Sequence, residues 1–174
     1  MPPAPFSLAG WETFYVIMGS AAAVLIGLQF VVITLSAGRR ASTPADETTY
    51  SAFASPTVIH FGVVLLLASW MTIPRQSVFS IHLGVVAAAA FGLVYVVRAV
   101  VLVRRQRDYK PVASDWWWHI ALPLVAYAHL LFSGFAIAHA ADSGLFGVAV
   151  TTIALTYIGI RNAWDSAIYI ATQQ

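Results

Sequence analysis

Residues 11–40 read WETFYVIMGSAAAVLIGLQFVVITLSAGRR, with no charged side chain between Glu12 and Arg39. A helix needs about 20 apolar residues to cross roughly 30 Å of hydrocarbon, so this run reads as a membrane span from about 11 to 37. Arg39 and Arg40 end it, because their charges enter hydrocarbon only at a cost of several kcal/mol. The preceding MPPAPFSLAG has no Lys or Arg, and the apolar run is too long for the h-region of a cleaved signal, so it is expected to be a retained first span.

The rest of the chain is written for the same solvent. Of 174 residues 60% are hydrophobic and only 9% are charged, more apolar surface than one water-soluble core hides. Further spans are expected at about 57–73, 78–103, 116–141 and 144–171, giving an all-α transmembrane bundle of five helices in a single domain, 1–174. Between the first two, STPADETTYSAFASP suggests a short cytoplasmic surface helix over about 43–55. Thr43 can cap it, Pro44 suits its first turn, and Asp46 and Glu47 oppose its dipole. Four residues, PRQS, separate the second and third spans, which predicts an antiparallel hairpin. Trp116, Trp117, Trp118 and His119 open the fourth span at headgroup level, and Pro123 predicts a kink there.

Counting Lys and Arg in alternate connections sets the orientation. Arg39, Arg40, Arg104, Arg105, Arg107 and Lys110 fall on one side and Arg75 alone on the other, so the N-terminus is expected outside and the C-terminus in the cytoplasm of a bacterial inner membrane. These charges flank apolar spans and act on topology; nucleic acid is not an expected partner.

Several residues stand out for packing or chemistry. Gly19, Ala23 and Gly27 in the first span, and Gly84, Ala88 and Gly92 in the third, form small-residue seams where helix backbones approach closely, either within one subunit or between copies in a homo-oligomer. Near the C-terminus GIRNAWDSAIY sets Asn162, Asp165 and Tyr169 on one stripe, with Arg161 one turn from Asp165. Joined by Arg98, these groups would line a water-accessible cavity; alternatively Arg161 snorkels to the cytoplasmic interface. Gln29 and His129 fall near mid-membrane with Ser133 one turn beyond, which suits a permeation path or interhelical hydrogen bonds.

The absence of cysteine leaves chemistry to His, Asp, Glu and Arg. Five histidines invite haem or a divalent metal, and the outer-side residues Glu12, His82, His139 and Asp142 are the candidate ligands; His60 and His119 fall at the cytoplasmic side. No HExxH, GxSxG, phosphate loop or dinucleotide fingerprint occurs, so no catalytic residue is assigned and no enzyme is expected.

The stretches WETFYVIMGSAAAVLIGLQFVVITLS and GIRNAWD resemble a family of small uncharacterised bacterial multi-pass membrane proteins, some of them labelled modulators of the FtsH protease. Where that family commonly has Thr and a second small residue in the first span, this chain has Met18 and Gln29. The resemblance implies a regulatory or scaffold subunit that binds another membrane protein. The residues themselves favour a homo-oligomeric channel or permease-like protein for an ion or small solute.

Overall fold

The computed structural model describes residues 8, 10–37, 44–105 and 116–172, with side chains described over 8, 10–34, 57–101 and 116–168. The described residues form helices and turns, with no strand. Helix α1 is Glu12–Ala37, α2 Pro44–Met71 and α3 Val78–Arg105; a π-helical turn, Trp117–Ala121, leads into α4, Leu122–Ile137, and α5 is Ala141–Thr172. Four segments, Glu12–Thr34, Val78–Val101, Trp117–Ile137 and Ala141–Ile168, are long and apolar enough to cross a membrane. The chain is thus an all-helical multi-pass membrane protein.

Helix α2 has a shorter apolar stretch, Thr57–Met71. The surface segment expected over 43–55 and the apolar segment from 57 lie in one helix, whose backbone continues from Pro44 through Pro56 to Met71. The expected cap at Thr43, the loop charges Arg39, Arg40, Arg107 and Lys110, and the side chains of Asp46, Glu47, Arg104, Arg105 and Tyr169 lie outside the described residues.

Four helices close a ring: α2 packs on α3, α3 on α4, α4 on α5 and α5 back on α2. Helix α1 lies outside this ring, against α2 and the flank of α5. The core is apolar, with Phe61, Val64, Leu67, Ile81, Val85, Leu130 and Leu155 buried. The outer surface is apolar as well: Ile17, Phe79, Val94, Val125, Phe132 and Phe146 are all more than half exposed. Such a surface is stable only against lipid or another protein.

Some of the small residues seat neighbouring side chains. Gly19 holds α1 against Ala68 of α2 at 3.0 Å from where its Cβ would stand, Gly84 lies under the Trp70 indole, and Gly92 lies under the Tyr127 ring. Ala88 is buried in the core. Ala23 and Gly27 face outward, and a Cβ at Gly27 would meet nothing within 4 Å.

The α2–α3 turn is fixed by its own polar groups. Ser77 and Ser80 exchange backbone-to-hydroxyl hydrogen bonds of 3.1 Å each, a reciprocal cap on α3, and the Gln76 amide donates to the Trp70 carbonyl. Arg75 turns the chain with a φ of 59°, a left-handed conformation that costs a non-glycine residue about 1–2 kcal/mol.

Candidate functional site

Pro123 begins the construction of the site. At the end of the π turn the Leu122 N–H donates to the Trp117 carbonyl rather than to that of Trp118. The next donor in the π pattern would be residue 123, and proline has no N–H. The Trp118 carbonyl therefore has no backbone partner in either pattern, and the side chain of Asn162 supplies one, its Nδ2–H donating at 3.4 Å. Asn162 is fully buried.

Helix α2 enters the same region. Its Phe61 ring lies where a Cβ at Gly159 of α5 would stand, so the two helices meet closely at that level. His60 directly precedes Phe61 and shares a face with Thr57, three residues nearer the α2 N-terminus; one turn along α5 from Gly159 stands Asn162. Thr57 and His60 are each 1% exposed. From across the ring Tyr127 of α4, admitted by the missing side chain at Gly92, brings its hydroxyl to 2.9 Å from His60 Nδ1. His119 of the π turn is within electrostatic reach of His60.

This buried layer is not internally satisfied. Thr57 Oγ1, His60 Nε2 and Asn162 Oδ1 are buried without a hydrogen-bond partner. For His60 the conclusion does not depend on tautomer. If Tyr127 donates to Nδ1, Nε2 carries a proton with no acceptor; if Nδ1 donates, Nε2 is a lone pair with no donor. Each such group costs about 1–3 kcal/mol when left unpaired in an apolar interior. Tyr15 Oη, at the other end of the bundle, is likewise buried without a partner.

The C-terminal stripe divides. Asn162 turns into the ring, whereas Arg161 and Asp165 form a salt bridge within α5 with 34% and 40% of their side chains exposed. Successive helical residues are about 100° apart, so Arg161 cannot follow Asn162 inward. Its guanidinium instead lies over the Trp118 ring, 5.5 Å from the centroid, and Trp118 packs on Tyr157. Arg98 stands exposed on α3, away from this pair. Gln29 is buried on α1.

His129 lies at the other side of α4, exposed, with Nδ1 2.7 Å from the Thr151 hydroxyl; Ser133 is buried and donates to the His129 carbonyl. Of the outer candidates, Glu12, His139 and Asp142 are exposed at helix ends, while His82 Nδ1–H donates to the Gly134 carbonyl at 2.8 Å and its ring meets Phe135. Among the described residues no three His, Asp or Glu side chains converge as a metal site.

The sequence pointed to Asn162 through its stripe, but Thr57, His60 and Tyr127 were missed as a group. The signal in TVIHF was the three-residue spacing of Thr57 and His60 in an apolar helix. Tyr127 carried no signal, since its reach depends on Gly92 in another helix. No protein-family model, curated protein or solved structure matches this chain.

Proposed function

We propose that this protein is a permease- or channel-like protein of the bacterial inner membrane that passes a small, uncharged, hydrogen-bonding solute through the layer formed by Thr57, His60, Tyr127 and Asn162. The observation that carries this reading is the set of three unpartnered polar atoms, on Thr57, His60 and Asn162, gathered where α2 and α5 meet inside the bundle. Polar groups are retained inside a membrane bundle where they meet a guest or water, because an apolar replacement would otherwise be more stable. The layer holds hydroxyls, an amide and imidazole but no carboxylate or guanidinium, and the nearest ion pair, Arg161 with Asp165, neutralises itself at the edge. An uncharged solute therefore fits this layer better than an ion.

In this reading all five helices span. The apolar stretch of α2 is short, but α1, α3 and α5 surround it and shield it from lipid. The excess of Lys and Arg in alternate connections supports an outside N-terminus and a cytoplasmic C-terminus. The outward small residues Ala23 and Gly27 support self-association through α1.

Two measurements test the proposal. In proteoliposomes, light scattering after an osmotic step with urea or glycerol should report faster solute entry than in empty vesicles, and Asn162→Leu should abolish the gain. Entry rates equal to those of empty vesicles for water, urea and glycerol alike overturn it. Because the chain has no cysteine, a single Gln76→Cys is a clean topology reporter. It should react with an impermeant maleimide added outside intact cells, and labelling only after lysis overturns the orientation.

A further inference from the structure

A second feature lies on the lipid-facing side of the outer half of the bundle. Helices α4 and α5 leave a groove of about 320 Å³ between them, lined by His129, Phe132, Ser133, Phe146, Gly147 and Val150 among others. Its rims are apolar and open: Phe132 is 71% and Phe146 63% exposed. Gly147 forms the floor, where a Cβ would run into the Ser133 hydroxyl. His129 lies twelve residues into the spanning segment that starts at Trp117, roughly 18 Å along the helix and close to mid-membrane.

The hydrogen bonds around His129 fix what the groove can offer. The Thr151 hydroxyl has one proton and donates it to the Gly147 carbonyl at 2.9 Å. Toward His129 Nδ1, 2.7 Å away, Thr151 can then only accept, so Nδ1 carries the ring proton and Nε2 is a lone pair. The Ser133 hydroxyl spends its proton on the His129 carbonyl. Around His129 the side chains thus present acceptors and no free donor; the one uncommitted hydroxyl of the lining, Ser143, stands two turns away toward the start of α5. An exposed imidazole at this depth is costly in hydrocarbon unless something pairs with it.

We infer that the groove binds the hydroxylated ring of a lipid-soluble quinol, with a ring hydroxyl donating to His129 Nε2, the ring between Phe132 and Phe146, and the tail in the bilayer. The acceptor at His129 calls for a donor; the volume suits one substituted ring; and the opening faces lipid, so the guest arrives from the membrane. This site is separate from the Thr57–Asn162 layer and does not depend on its proposed role.

The probe is decylubiquinol, compared with its dimethyl ether, which has the same ring and tail but no donor. Native mass spectrometry of the full chain released from nanodiscs should retain one decylubiquinol per subunit, with at least tenfold preference over the ether. His129→Phe should remove the preference. Val150→Trp, a change at an exposed rim position, should block both probes while leaving the thermal unfolding temperature unchanged. Equal retention of quinol and ether, an unaltered preference in His129→Phe, or a phospholipid or second subunit held there that the quinol does not displace would each overturn the inference.

Discussion

A threonine in a membrane helix commonly closes its hydroxyl onto the carbonyl four residues back, and Thr34, Thr151, Thr152 and Thr156 all do so at 2.8–2.9 Å. Thr57 is equally enclosed and has no partner. Under the proposed function, that contrast separates a hydroxyl kept for the helix from one kept for a guest. Thr57→Val keeps the shape and removes the unpaired group, so the bundle should become about 1 kcal/mol more stable by thermal unfolding in detergent while solute entry falls. A loss of stability would mean that the hydroxyl has a structural partner. Gly92 acts on the same layer indirectly, because a methyl there would occupy the Tyr127 ring. Gly92→Ala should cost about 1–3 kcal/mol by overpacking and should separate Tyr127 from His60. Gly92→Ala in a Tyr127→Phe background should cost as much, since the ring remains; Gly92→Ala with Tyr127→Ala should cost far less. If the second background gives no relief, the ring is not what the glycine accommodates.

At the scale of elements the apolar runs were enough to read α1, α3, α4 and α5, since their limits follow from the cost of moving charge into hydrocarbon, whereas the expected surface segment over 43–55 and the span from 57 are one helix, α2. The turn over 72–77 was legible from its four polar and breaking residues, PRQS. The π turn was not. Pro123 announced a disturbance, but whether a proline is met by a bend or by an i→i−5 turn depends on what satisfies the freed carbonyl, and that group, Asn162, is contributed by α5. The stripe containing Asn162 was likewise readable as polar, yet its division into an inward amide and an outward ion pair depends on how α5 is rotated against α2 and α4. The link between Pro123 and Asn162 is testable by a double-mutant cycle. Asn162→Leu leaves the Trp118 carbonyl without its side-chain partner and should cost about 1–3 kcal/mol. Pro123→Ala restores a backbone N–H, so Asn162→Leu in that background should cost less by about 1 kcal/mol. Strict additivity in the two unfolding free energies would show that the amide is held for another reason.

At the scale of the molecule the ring of α2 to α5 and the position of α1 outside it assign different work to different helices. α5 is the most enclosed of the four long spans and α1 the least, so α1 is the element whose outer face is free to meet lipid or another subunit. Within one subunit Gly19 already serves α1, against Ala68, whereas Ala23 is exposed and a Cβ at Gly27 would meet nothing within 4 Å. In lipid a bare small-residue face gains by meeting another helix, because close backbone approach adds dispersion contacts that acyl chains supply less well. Gly27→Leu discriminates cleanly. Its new side chain enters open space in the isolated subunit, so intrasubunit packing should be unaffected and helix propensity slightly improved. If copies associate through α1, native mass spectrometry should show the wild-type chain as a closed oligomer and Gly27→Leu as a monomer with an unchanged or slightly raised unfolding temperature. An oligomer that survives Gly27→Leu would move the contact to another face. A wild-type monomer would remove self-association and leave the α1 face to a different membrane protein, a heteromeric role in which the layer around His60 could still conduct its solute within a single subunit.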